Sequence, residues 1–178
     1  MFQSWLGSGS RVVGIDIVSE CLQYQDASRG ISIEIGSQAE PQFLLSLIEK
    51  YGEPDIILDD GSHVDAHIST SLNTLFPHLK TGGVYIIEDC GGNHICGGPS
   101  DCKGFTSHDR FIYECYLRVL AMNQSYAANN ISKPSQAFPA TSDGFMTSSV
   151  CFYPDLVILE KDLNVPYDQM VSPPHYSF

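Results

Sequence analysis

Basic residues are scarce in this chain. Nine Lys and Arg stand against 21 Asp and Glu over 178 residues, a net charge of −12 at pH 7. Such a surface repels phosphate backbones and anionic headgroups, which argues against nucleic acid and membrane as partners. Long apolar runs are missing as well, and none approaches the roughly 20 residues of a membrane span. The start, Met1 to Ser10, has neither the basic nor the apolar region of a secretion signal. A cytoplasmic location is the expectation, and the glycosylation-like patterns at Asn123 and Asn130 then carry no weight. The six cysteines include no CxxC pair. Cys90, Cys96 and Cys102 are evenly spaced in a Gly-rich stretch that could suggest a zinc or disulfide site. Reduced cysteines of an intracellular protein are the preferred reading.

What is present is an ordinary globular share of hydrophobic residues, 43%, on a length that suits one domain with a real core. The β-branched run Arg11 to Ile17 and the run Ile31 to Ile35 read as strands. Phe43, Leu44, Leu47 and Ile48 repeat at helical spacing within Pro41 to Tyr51. A strand over 55–59, a helix from about Val64 to Leu79, the turn Lys80-Thr81-Gly82-Gly83 and a strand over 84–88 follow. Alternation at this spacing means βαβ units and a parallel sheet. After a Gly-rich loop from Cys90 to Ser107, Asp109 to Asn123 reads as a helix. Ser149 to Tyr153 and Leu156 to Glu160, split only by Pro154-Asp155, read as an antiparallel hairpin. The expected fold is α/β and Rossmann-like: a mostly parallel sheet, helices on both faces, and the hairpin at one edge. One domain over 1–165 and an irregular tail over 166–178, with Pro166, Pro173 and Pro174, account for the chain.

Function shows in two segments. Ile56-Ile57-Leu58-Asp59-Asp60-Gly61-Ser62-His63 is echoed by Val84-Tyr85-Ile86-Ile87-Glu88-Asp89. Each is an apolar run that stops on adjacent carboxylates. Ligands of an open parallel sheet lie outside the carboxyl ends of its strands. Two neighbouring strands ending this way gather Asp60, Glu88 and Asp89 around one point, with His63 beside it. Three carboxylates repel unless a cation holds them, so a divalent metal is the natural occupant. The bland alternatives are helix capping by Asp59 or Asp60, a turn-forming Asp16, and a surface His63 at a helix start. The echoed acidic pair makes a purely structural role the weaker reading. His67, His78, His94, His108 and His175 default to surface or loop roles, and Tyr126, Phe138 and Phe145 are weak candidates for an acceptor pocket.

Asp16 closing a strand, Leu79-Lys80-Thr81-Gly82-Gly83 before another, and the terminal hairpin resemble the class I S-adenosylmethionine-dependent methyltransferases. Asp60-Gly61-Ser62-His63 followed by Glu88-Asp89 is similar, more narrowly, to the Mg²⁺-dependent macrolide-sugar and rhamnosyl O-methyltransferases and the cephalosporin hydroxylase-like proteins. The similarity runs from about Arg11 to Lys161. It implies that Asp60, Glu88 and Asp89 hold Mg²⁺ and that His63 is the general base. It also implies that Asp16, Ser37, Gln38 and Asp59 bind S-adenosylmethionine, with Asp16 on the ribose and Ser37-Gln38 near the adenine. The choice of Asp60 over Asp59 as the ligand comes from that motif, not from strand alternation. One departure stands: the family's first strand and its Gly-rich turn have no counterpart, because Gly7-Ser8-Gly9-Ser10 precedes a strand instead of following one. That strand would lie between 11–17 and 55–59.

The chemistry is coherent in itself. A sugar hydroxyl is too weak an acid to lose its proton freely, and a hard cation lowers that barrier. An imidazole can then accept the proton as the oxygen attacks the sulfonium methyl. The leading expectation is Mg²⁺-assisted O-methyl transfer to a hydroxyl of a sugar or other small natural product. A catalytically inactive methyltransferase-like remnant is the second reading, suggested by the absent strand. An iron oxygenase built on His63-Val64-Asp65 ranks last, for want of a distal histidine. An exposed apolar edge left by the absent strand would favour self-association.

Overall fold

The computed structural model describes residues 6, 7, 9–89, 147–153 and 156–161. The expected helix over 109–123, the loop before it, the tail and the cysteines of 90–115 lie outside these residues. Strands β1 (Val12–Asp16) and β2 (Ile31–Ile35) pair in parallel, Val12 against Ile31 through Asp16 against Ile35. Two short 3-10 turns, Ser19–Tyr24 and Ala27–Arg29, join them. Helix α1 (Pro41–Tyr51) leads to β3 (Ile56–Asp59), and helix α2 (Asp65–Leu75) leads to β4 (Val84–Glu88). Strands β5 (Thr147–Tyr153) and β6 (Leu156–Lys161) form the antiparallel hairpin. A second sheet thus has the order β3-β4-β6-β5, with β3 and β4 parallel and β6 antiparallel to both its neighbours. Among the described residues, no strand pairs with the second edge of β1 or of β3.

Alternation explains the core. Ile57, Tyr85 and Leu159 stand in register across β3, β4 and β6, and so do Asp59, Ile87 and Val157. Residues in such a row share one face of the sheet. Tyr85, Ile87, Val157 and Leu159 are buried there with Leu44 of α1 and Ile68, Leu72 and Leu75 of α2. On the opposite face Ile56 and Leu58 stay 45% and 40% exposed among the described residues.

Local rules set the helix ends. Pro41 opens α1, where its missing N–H costs nothing, and Gly52 closes it by donating to the Ile48 carbonyl. α2 keeps its helical geometry only to Leu75, shorter than the expected span to Leu79. Pro77 has no amide to continue the ladder, so Phe76–His78 tightens into a 3-10 turn. The ammonium of Lys161 on β6 donates to the carbonyls of Pro77 and Leu79 and fastens this turn to the sheet. Burial pushes that ammonium below its ordinary range.

Candidate metal and cofactor site

Every sequence-derived site residue sits at a carboxyl end of a parallel strand or in the turn that follows it. β3 ends on Asp59, β4 on Glu88, β1 on Asp16, and Ser37-Gln38 follows β2. Alternation separates the two aspartates at the end of β3. Asp59 belongs to the buried row and is 8% exposed, whereas Asp60 is turned to solvent.

Asp60, His63 and Asp89 come together. Each offers a ligand atom, and the three atoms lie within 4.8 Å of one another. His63 Nε2 is 3.7 Å from Asp89 Oδ2, with the two side chains 34% and 65% exposed. Glu88 does not join the group, and Asp65 is buried in the first turn of α2, away from it. Among the described residues, His63 and Asp89 are the non-glycine positions with left-handed backbone, at φ 54° and 52°. Such conformations are costly, concentrate at functional sites, and here aim both side chains at one point. Two exposed carboxylates beside a half-buried imidazole suit a divalent cation that needs few protein oxygens and keeps several waters, with the imidazole at its edge.

Behind this group lies a polar cluster. The buried Asp59 carboxylate accepts from Gln38 Nε2 at 2.9 Å, from the Tyr85 hydroxyl at 3.1 Å and from Ser71 Oγ. Gln38 Oε1 accepts the Ser62 amide at 2.7 Å. Ser62 Oγ is 2.9 Å from His67 Nδ1 on α2. Ser71 and Tyr85 were not among the expected site residues, and His67 was expected only in a surface or loop role. Two of them were detectable: Ser71 interrupts the apolar stripe of α2, and Tyr85 occupies a core position in β4. A hydroxyl at either place requires a polar partner.

The cofactor candidates are distributed along the same edge. Asp16 Oδ1 accepts the Val18 amide at 2.8 Å, and Oδ2 accepts the Cys21 thiol at 3.2 Å. These bonds, the Val18 amide foremost, hold its carboxyl below the usual carboxylate range. Asp16 is therefore a charged acceptor at neutral pH. Ser37 Oγ accepts the Ala39 amide at 3.1 Å and shapes the turn after β2. Gln38 and Asp59 are engaged with each other.

No family model matches the chain. Known proteins do. Over 154 residues the chain is 30% identical to the 8-demethyl-8-alpha-L-rhamnosyl tetracenomycin-C 2'-O-methyltransferase of Streptomyces olivaceus, covering 86% of this chain and 38% of the relative. It is 37% identical over 109 residues to the mycinamicin VI 2''-O-methyltransferase of Micromonospora griseorubida, covering 58% of this chain and 26% of the relative. The chain thus spans well under half the length of these relatives. In three dimensions it matches the MycE methyltransferase of the mycinamycin biosynthetic pathway, solved in complex with Mg and S-adenosylhomocysteine. The TM-score is 0.67 at 26% identity over 87% of this chain and 37% of that one.

In fold and in sequence the chain is similar to class I S-adenosylmethionine-dependent methyltransferases over part of their length. The curated relatives it resembles are sugar O-methyltransferases of macrolide and tetracenomycin pathways.

Proposed function

We propose that the chain contributes the cation- and acceptor-binding part of an O-methyltransferase. That enzyme would move the methyl of S-adenosylmethionine to a hydroxyl of a sugar or other small natural product. One observation carries the reading: Asp60, His63 and Asp89 converge within 4.8 Å at the carboxyl ends of two parallel strands. The named relatives act on sugar-bearing natural products, and MycE is described with Mg, S-adenosylhomocysteine and mycinamycin VI. We propose Mg²⁺ as the cation and a small-molecule acceptor as the partner. We propose a cytoplasmic location; no described helix is long and apolar enough to cross a membrane.

Asp60 and Asp89 supply the hard oxygen donors for the cation. Glu88, adjacent to Asp89 but outside the converging group, adds a third carboxylate to the site's negative field. When bound, the cation makes an acceptor hydroxyl more acidic and fixes its position. His63 Nε2, 3.7 Å from Asp89 Oδ2, takes the hydroxyl proton. Asp16 is the acceptor for the cofactor ribose, with Ser37, Gln38 and Asp59 forming the floor on that side. The test is calorimetric titration with S-adenosylhomocysteine, with and without Mg²⁺, followed by transfer of labelled methyl to a deoxysugar-bearing macrolide. Micromolar binding and a labelled product are expected; a folded chain that neither binds nor transfers contradicts the proposal.

A further inference from the structure

Gln38 belongs to the turn after β2, yet both ends of its amide are used on the acidic turn after β3. Its Nε2 donates to Asp59 Oδ1 at 2.9 Å and approaches Ser71 Oγ at 3.4 Å. Its Oε1 accepts the Ser62 amide at 2.7 Å. The orientation is chemically fixed, because a carboxylate needs a donor and a backbone N–H needs an acceptor. One side chain therefore grips the residue before Asp60 and the residue before His63. The intervening Gly61 packs against the same amide: a Cβ there would lie 2.1 Å from Gln38 Oε1. Asp59 cannot swing away easily, since it is buried and also accepts from Ser71 and Tyr85. The grip joins the two sheets at their carboxyl edge, where no strand ladder connects them among the described residues.

We propose that Gln38 is a positioning residue for the cation site, holding the 59–62 turn so that Asp60 and His63 meet Asp89. The role rests on the reading of Asp60, His63 and Asp89 as a cation site. Gln38 touches neither the acceptor nor the cation in this role; it acts through the Asp59 carboxylate and the Ser62 amide. Residues behind metal ligands commonly govern affinity nearly as strongly as the ligands do.

The experiment uses Mn²⁺ as the probe. Its affinity is measured by electron paramagnetic resonance for the wild-type chain, Gln38→Met and Asp60→Asn, with hydrogen exchange of the Ser62 amide recorded in parallel. Gln38→Met keeps the side-chain volume and removes the amide's hydrogen bonds to Asp59, Ser71 and Ser62. It is expected to weaken Mn²⁺ binding about tenfold or more and to accelerate Ser62 exchange in a chain that still shows native circular dichroism. If that variant does not fold, Gln38→Asn keeps the amide but is too short to span both partners, and the same loss is expected. Asp60→Asn is expected to abolish binding. Wild-type affinity in the folded Gln38 variant, with loss in Asp60→Asn, overturns the positioning role alone. Wild-type affinity in Asp60→Asn overturns the cation site and the role built on it.

Discussion

The imidazole Nε2 of His63 lies 3.7 Å from a carboxylate oxygen of Asp89, and both residues hold left-handed backbone. Each such conformation costs on the order of 1–3 kcal/mol and persists only where its surroundings impose it. Asp89 follows directly on the β4 ladder. His63 follows Ser62, whose amide is held by Gln38 and whose hydroxyl meets His67 at the start of α2. Two strained residues facing each other at the end of a parallel sheet mark a site that the fold maintains at some expense of stability.

That strain shapes the choice of variant for the proposed base. Asn tolerates left-handed backbone far better than Ala does, so His63→Asn should fold normally. In the methyl-transfer assay it is expected to lose about a hundredfold or more of the rate while keeping Mg²⁺ affinity. Loss of Mg²⁺ affinity in the folded variant would make His63 a ligand rather than a base.

Asp59 anchors the turn from inside. Asp59→Ala removes an acceptor shared by Gln38, Ser71 and Tyr85 and leaves buried donors without it. Urea unfolding should show a loss of about 2–3 kcal/mol. A change below about 0.5 kcal/mol, the range of an ordinary surface substitution, would mean that the cluster is not structural.

Gly61 is required by space, not by backbone angle. Gly61→Ala drives a methyl into the Gln38 amide, so Mg²⁺ affinity should fall at least severalfold. Shortening the neighbour in Gly61→Ala/Gln38→Ala should relieve the clash, making the double variant no worse than Gln38→Ala alone. Additive losses in the double variant would contradict the contact, since residues in contact couple and distant ones add.

Acid should weaken the fold through carboxylates outside the Asp60, His63 and Asp89 group. The Lys50 ammonium, then the Tyr51 hydroxyl, holds the Glu34 carboxyl below its usual range. The Ser28 hydroxyl does the same for Asp26, and the Val18 amide for Asp16. A depressed folded pKa stabilises above the unfolded value and ceases to do so as pH falls through the folded one. The window therefore opens at about pH 4 and runs downward. Glu34→Gln should flatten the fall of the thermal midpoint in that window, modestly because the ion pair is partly exposed. An equal or steeper fall would contradict the assignment.

Much of this arrangement was legible in the sequence, because strand periodicity and terminal carboxylates are local signals. Asp16, Asp59 and Glu88 end their strands as expected, with Asp60 and Asp89 next in the chain, and the hairpin of β5 and β6 followed from Pro154-Asp155. The choice between Asp59 and Asp60 was not legible: it depends on which face α1 and α2 cover, a tertiary fact. That Gln38 also grips the turn after β3 was not legible, because nothing in a linear chain shows that the β2 turn reaches it. The left-handed backbone of His63 and Asp89 had only a faint sequence signal, since His and Asp enter that region more readily than most non-glycine residues but still seldom. The end of α2 at Leu75 was available from Pro77 but was outweighed by the apolar spacing running on to Leu79.

Titration of Mg²⁺ into the wild-type chain and Asp60→Asn by calorimetry tests the central claim most directly. The account predicts a single-site isotherm for the wild-type protein and none for the folded variant. Equal binding by both, or no binding by the folded wild-type chain, would contradict it.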